Sequence, residues 1–420
     1  MNNLSLKKIQ INNRQYVVPE KPVVVICIDG CDPDYLDAAL KVDCIPTIKH
    51  FINDGTYRVA HSVIPSFTNP NNMSIATGEP PLVHGICGNY FLDPETGEEL
   101  MMNDVRFLRS PTIFKKFQEI NKKIAIVTAK DKLRSLLGAE LKMDTNYAKC
   151  FSAEKADQAN LIENGITEVE GWVGLEVPNV YSAELSEFVF ASGLKLMEDW
   201  QPDIMYLTTT DYVQHKYSPE DKEALQFYQM IDDYISEINK HEVTIVITAD
   251  HGMKSKHKIN GEPEVIYIQD YLDDWLGNSK AKVILPITDP YVVHHGALGS
   301  YATIYFENPY DINISRDKLL KLSELEEVLT KREAVERFKL PSDRIGDLVI
   351  ISKEKMSIGK TSNYHNLKAL KEPLRSHGGL SEQLVPFIIN KPYELPSAPY
   401  LYNYDAFYYA CSASEKINDK

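Results

Sequence analysis

The chain has 420 residues, 43% hydrophobic and 25% charged, an ordinary globular composition long enough for one large domain with an elaboration, or for two domains. Its formal net charge of −15 argues against a nucleic-acid partner, because phosphate backbones are held by clustered Lys and Arg, and any anionic substrate has to be drawn in by local positive charge. Six cysteines without a CxxC pair read as reduced thiols, residues 1–20 lack the apolar core of a signal peptide, and no run of about 18 apolar residues occurs, so a soluble, cytoplasmic protein with no membrane association is expected.

In chain order, the first apolar run is VVVICI (23–28), which ends in IDG and places Asp29 at a glycine turn. PSFTNPNNMSIATG (65–78) is small, polar and rich in amides, and its second half reads as a helix over 70–77. LVHGICGNYF (82–91) follows, with His84 read as a structural turn residue. IAIVT (124–128) runs into TAKDKLR (128–134), which carries Lys130 and Lys132. A helix is expected over 183–200, started by Ser182 with Glu184 and Glu187 in its first turn. IMYLTT (204–209) leads into TTTDYVQH, a further helix is expected over 219–240, and VTIVIT (243–248) leads into TADHG. Short apolar runs alternating with longer amphipathic ones are the pattern of buried parallel strands and covering helices. The expected fold is therefore α/β, a doubly wound and mostly parallel sheet whose ligands collect at the carboxyl ends of the strands.

Between His251 and His377 the texture changes. Strand-like VILPI (283–287) and YATIYF (301–306), a charged helix at 315–337 and a Gly/Lys/Ser/Asn-rich stretch at 357–366 read as an inserted α+β cap. The division expected is a catalytic core of residues 1–253 and 376–420 with a cap at 254–375. RSHGG then supplies His377, with two glycines that let the backbone bend around it.

An aspartate that closes a hydrophobic strand is costly to bury and needs a partner. Asp29, Asp211 and Asp250 all stand after apolar runs. Any one of them alone is a cap or turn residue; three at one sheet edge, two with histidines attached, point to cations. Asp211 and His215 are spaced i and i+4 and share a face if a helix starts there, while Asp250 is next to His251. Carboxylate with imidazole suits Zn, Mn or Fe rather than Ca, and two sites are the economical count. His294 and His295 in VVHHGA lack nearby carboxylates and read as a polar turn; His61, His257 and His365 carry no local signal. Thr68 is either the N-cap of the helix it precedes or a hydroxyl activated by a metal, with the helix N-terminus facing the same anion.

IDG, PSFTNPNN, HGICGNYF, TTTDYVQH, TADHG and SHGG stand in the order that resembles the alkaline phosphatase superfamily, on its nucleotide pyrophosphatase/phosphodiesterase branch. The resemblance spans residues 23–252 and 376–388, and as an ordered set it is far more specific than any one piece. It implies two divalent cations, zinc first with Mn2+ or Fe2+ as alternatives. One would be held by Asp211, His215 and His377, the other by Asp29, Asp250, His251 and the Thr68 oxygen. Thr68 would be the nucleophile and Asn89 would donate to a phosphoryl oxygen. TAKDKLR separates the chain from its diesterase relatives and implies a small anionic substrate, phosphonoacetate, whose C–P bond is cleaved through a phosphothreonine.

Charge fits that substrate. Three aspartates with two divalent cations leave a formal +1, and Lys130 with Lys132 raises it to +3, against up to three negative charges on phosphonoacetate. A phosphodiester has one charge at its phosphorus and would not need the lysine pair, although read alone KDK is a solvated turn. The alternatives are a phosphodiesterase, nucleotide pyrophosphatase or phosphomonoesterase using the same metals and Thr68, and, more remotely, a non-catalytic phosphonate-binding protein. Oligomeric state is left open, a homo-oligomer being compatible with the chain.

Overall fold

The computed structural model describes residues 7–144, 146–287, 297–396 and 399–415, so His294 and His295 lie outside the described residues. The strands of its two larger sheets, in chain order, are β1 (Val23–Cys27), β2 (Thr56–His61), β3 (Ile124–Thr128), β4 (Ala148–Ser152), β5 (Ile204–Thr208), β6 (Thr244–Thr248), β7 (Ala281–Ile284), β8 (Tyr301–Phe306), β9 (Leu325–Thr330), β10 (Leu348–Ser352) and β11 (Leu384–Ile389). Seven of these form the main sheet in the order β2-β11-β6-β1-β5-β3-β4, all parallel except β11. Five of them, β1 and β3 to β6, are buried at every position, which is why they read as unbroken apolar runs. The sheet edge is different: β2 alternates between buried and half-buried or exposed residues, and its apolar signal is correspondingly weak.

The helices used below are α1 (Pro33–Lys41), α2 (Thr68–Thr77), α3 (Asp131–Leu137), α4 (Glu184–Asp199), α5 (Tyr212–Lys216), α6 (Lys222–Asn239), α7 (Tyr310–Leu319), α8 (Lys331–Phe338) and α9 (Ala406–Ser414). Successive side chains of a strand face opposite ways. On β5, Tyr206 meets the rings of Phe114 and Phe407, each with centroids at 5.8 Å. The next residue, Leu207, packs against Gly193 of α4 so closely that a Cβ there would lie 2.6 Å from Leu207 Cδ1. Helices thus cover both faces, and the doubly wound sheet expected from the sequence is the one observed.

Two expectations fail locally. Ser182 does not cap α4; its hydroxyl donates back to Asn179 O and the N-cap position belongs to Ala183. The charged stretch 315–337 is not one helix but the end of α7, strand β9 and then α8. Val328 and Leu329 of β9 pair with Ile350 and Val349 of β10, and Thr330 with Glu333 forms a capping box that restarts the helix. Strands β7 to β10 make a second, antiparallel sheet in the order β7-β8-β10-β9.

Candidate active site

The carboxyl ends of the four adjacent strands β6, β1, β5 and β3 bring Asp250, Asp29, Asp211 and Lys130 to one edge of the sheet. Asp211 occupies the N-cap position of α5, and the single turn of that helix brings His215 back under it, Nε2 to Oδ2 at 3.0 Å. His377 arrives from a distant part of the chain because a two-residue strand, Arg375–Ser376, pairs with Lys254–Ser255 just past His251. The His251 and His377 rings stack with centroids 3.6 Å apart and planes 8° off parallel. Gly378 adopts φ +119°, and a Cβ there would stand 2.3 Å from the Phe67 ring, so the bend after His377 admits only glycine.

All three imidazoles are pinned from behind. His215 Nδ1 pairs with Arg375 O at 2.9 Å, His251 Nδ1 with Gly252 O at 2.9 Å, and His377 Nδ1 with Ser66 O at 2.8 Å. A carbonyl only accepts, so each Nδ1 carries the proton and each Nε2 presents a lone pair to the cluster, the arrangement typical of metal-binding histidine. Asp29 Oδ1 lies 3.3 Å from His251 Nε2, Asp250 Oδ2 lies 3.6 Å from the same nitrogen, and His377 Nε2 lies 3.7 Å from Asp211 Oδ2. Donor atoms arranged tetrahedrally at ~2.0–2.1 Å from an ion are ~3.3 Å apart, close to these separations. Asp29 Oδ1 and His251 Nε2 are moreover buried without a hydrogen-bond partner, a cost that a cation between them would remove. On these observations the residues fit divalent metal ions.

Two groups have donor atoms within 4.8 Å of one another: Asp211, His251 and His377, and Asp29, Asp250 and His251. His251 Nε2 therefore stands between the two groups, a central position its sequence neighbours do not disclose, and with Nδ1 protonated its one lone pair serves a single ion. Electrostatics agree. Burial, with Asp211 and Asp250 nearby, pushes the Asp29 carboxyl well above the ordinary range. Burial likewise raises Asp250 to about 7. Burial alone would raise Asp211 as well, but His215, Lys130 and His377 outweigh it and hold this carboxyl well below the usual value. Burial and the neighbouring His251 and His215 hold His377 well below the ordinary imidazole range.

Thr68 is the first residue of α2, half-buried, and the N-cap position is Phe67, which caps with no side chain. Its hydroxyl is therefore not spent as a cap. The helix end is less open to an anion than the sequence implied: Asn69 N donates to Asn89 Oδ1 at 2.9 Å, Pro70 has no N–H, and Asn71 N donates to Phe67 O. The same bond places Asn89 beside Thr68, and since its Oδ1 accepts, its Nδ2 is the end left to donate to a substrate oxygen. Lys130 holds the N-cap position of α3 and reaches back, Nζ to Asp211 Oδ1 at 3.9 Å; Lys132, in the first turn of α3, is exposed. His84 is fully buried, with Nε2 against Ser74 Oγ at 2.9 Å and Nδ1 accepting from Ile86 N, which bears out its structural reading.

The amides that gave the 65–78 stretch its odd composition turn out to be structural connectors. Asn71 is fully buried; its Oδ1 accepts from Val63 N at 2.7 Å and Asn403 Nδ2 at 3.0 Å, and its Nδ2 donates to Phe67 O at 3.0 Å. Asn71→Ala is expected to destabilise the protein by about 3 kcal/mol, seen as a fall in the thermal midpoint, because it strands several buried polar groups at once. Asn72 and Asn71 were not singled out in the sequence, where the only signal was the density of amides ahead of a helix.

The model of the type I phosphodiesterase / nucleotide pyrophosphatase family matches residues 23–380. Among curated proteins the chain is 26% identical over 261 residues to an uncharacterized pyrophosphatase/phosphodiesterase of Schizosaccharomyces pombe, covering 56% of this chain and 45% of the relative. It is 24% identical over 269 residues to human ectonucleotide pyrophosphatase/phosphodiesterase family member 1, covering 60% and 25%. The chain thus spans less than half the length of these curated relatives. The crystal structure of phosphonoacetate hydrolase from Sinorhizobium meliloti 1021 in complex with phosphonoacetate is similar at 56% identity and a TM-score of 0.95, over 98% of this chain and 100% of that one, with equal figures for its phosphonoformate complex. Human ectonucleotide pyrophosphatase/phosphodiesterase 5 shares the fold, with 16% identity and a TM-score of 0.63 over 94% and 95% of the two chains.

Proposed function

The chain belongs to the type I phosphodiesterase / nucleotide pyrophosphatase family, and within it we propose a metal-dependent hydrolase that cleaves the C–P bond of phosphonoacetate to acetate and phosphate. One observation carries the choice of substrate: the end-to-end likeness, 56% identical over 98% of the chain, to a hydrolase solved with phosphonoacetate bound. Lys130, a cation placed beside the cluster in a strongly acidic protein, supports it.

In this reading Asp29, Asp250, His251 and Thr68 hold one divalent ion and Asp211, His215 and His377 the other, with zinc the first candidate for an imidazole-carboxylate set. Bound there, the ions supply Lewis acidity that lowers the proton affinity of the Thr68 hydroxyl and offsets the three aspartates. Thr68 Oγ1, its proton given up to solvent, attacks phosphorus in line; the O–P bond forms as the P–C bond breaks, and the electron pair leaves with the CH2 carbon, which takes a proton from water to become the methyl group of acetate. Carbon is a poor leaving group, so the charge has to be delocalised into the substrate carboxylate and met by a cation. Lys130 takes this role, with Lys132 behind it, acting where charge develops in the transition state. Asn89 Nδ2 steadies a phosphoryl oxygen. Water then hydrolyses the phosphothreonine and releases phosphate. Residues 254–375 are assigned as an insert that roofs the site: Asn89 N donates to Pro286 O and Ser300 N to His377 O, both at 2.9 Å. Among the described residues no helix is long and apolar enough to cross a membrane. We place the enzyme in the cytoplasm, a reading supported by six cysteines with no disulfide among them.

The test is a comparison of kcat/KM for phosphonoacetate and for p-nitrophenyl mono- and diesters. Phosphonoacetate is expected to lead by at least about a hundredfold, and Lys130→Ala to lower its kcat/KM by a similar factor, about 2.7 kcal/mol. Lys132→Ala should have the smaller effect. Faster turnover of the diester, indifferent to Lys130, would favour a phosphodiesterase.

A further inference from the structure

Asn72 stands outside every ligand set and yet touches three of the elements that build the site. Its Nδ2 donates to Thr68 O at 3.0 Å and to Asp250 Oδ2 at 3.3 Å. Its Oδ1 accepts from Tyr206 OH at 2.7 Å and Thr208 Oγ1 at 3.1 Å, both on β5, the strand that delivers Asp211. Asn72 itself is fully buried on α2. With both amide hydrogens and both carbonyl lone pairs engaged, the amide plane has one orientation, because two hydroxyls facing Oδ1 leave Nδ2 only the opposite side.

The consequence falls on Asp250. Its Oδ1 already accepts from Gly30 N at 3.2 Å and His251 N at 3.0 Å. Its Oδ2 accepts from Asn72 and faces His251 Nε2 at 3.6 Å. A carboxylate oxygen has two lone-pair sites, so the bond from Asn72 occupies one and turns the other toward the cluster. We propose that Asn72 is a positioning residue that holds the Asp250 oxygen and the Thr68 backbone in one frame, coupling affinity for the cation at Asp29, Asp250 and His251 to placement of the nucleophile. This rests on the proposed two-metal hydrolase, and it concerns a residue that touches neither substrate nor metal.

Partners of this kind around a metal ligand are worth roughly 10–100-fold in metal affinity or activity. Zn2+ titrated into the metal-stripped full-length protein, in competition with a chelating dye, should show one of two sites weakened by at least about tenfold in Asn72→Ala, the other unchanged. kcat should fall by a similar or larger factor, with KM within about threefold. Should Asn72→Ala fail to fold, Tyr206→Phe and Thr208→Val together leave Nδ2 in place and remove only what orients it. A several-fold weakening of that same zinc site in the double variant, with the other site unchanged, supports the inference. Unchanged zinc affinity and kcat in these variants overturn it, and so does equal weakening of both sites, which would mark a purely structural role. The zinc arm does not depend on substrate, so it reports on Asn72 even if phosphonoacetate proves to be the wrong substrate.

Discussion

Thr68→Ala is expected to lower kcat on phosphonoacetate by about four orders of magnitude or more, the scale seen when a covalent nucleophile is removed. The fold should be almost untouched. Thr68 is half-buried, and as the first residue of the helix rather than its N-cap it does not spend its hydroxyl on capping. A thermal midpoint within about 2 °C of the parent, beside the lost turnover, is the expected pair of results. Isothermal titration should still show phosphonoacetate bound by the variant loaded with metal. Residual activity above about a tenth of the parent would assign the nucleophile elsewhere and undo the phosphothreonine route.

Removing the metal should make the protein less stable in a pH-dependent way. Asp250 has a folded value near 7 against 3.8 for the free carboxyl, and Asp29 is displaced in the same direction, both chiefly by burial. Where the folded state keeps a proton that the unfolded chain has released, stability falls as pH rises, until the folded group itself ionises. His377, held below its ordinary 6.5, acts in the opposite sense, but only below that pH, where the unfolded chain takes up a proton the folded one refuses. From about pH 6.5 to 8 the carboxylates therefore decide the sign. The metal-free protein should lose several degrees of thermal midpoint across this interval, and added Zn2+ should raise the midpoint more at pH 8 than at pH 6.5, since the ion displaces protons from its ligands. A metal-free midpoint that rises from pH 6.5 to 8 would contradict the burial of like charges on which the two-metal reading depends.

Both results depend on how the chain is folded as much as on which residues it contains. Strands β1, β3, β5 and β6 were legible because a strand buried on both faces has to be apolar throughout, and an aspartate at the end of such a run has no cheap explanation. The candidate ligand residues were recognisable in the same way, by residue type and by their place after strands. Strand β2 was not legible, since its sheet-edge residues alternate and resemble any half-exposed segment; β11, with Pro386 inside it, carried a residue that ordinarily argues against a strand.

By itself the amino-acid order determined the class of fold and pointed to carboxylate and imidazole as candidate cation ligands, because these follow from local pattern and from what a buried carboxylate needs; Thr68 was marked out only by the resemblance to a known family. It could not determine which histidine stands between the two groups, which lysine reaches the cluster, or what the buried asparagines hold. Those depend on distances between segments far apart in the chain, such as the stacking of His251 on His377 and the reach of Asn72 to Asp250. Only sheet order and the pairing of Arg375–Ser376 with Lys254–Ser255 bring such segments within bonding range. Local sequence preference carries no information about that separation.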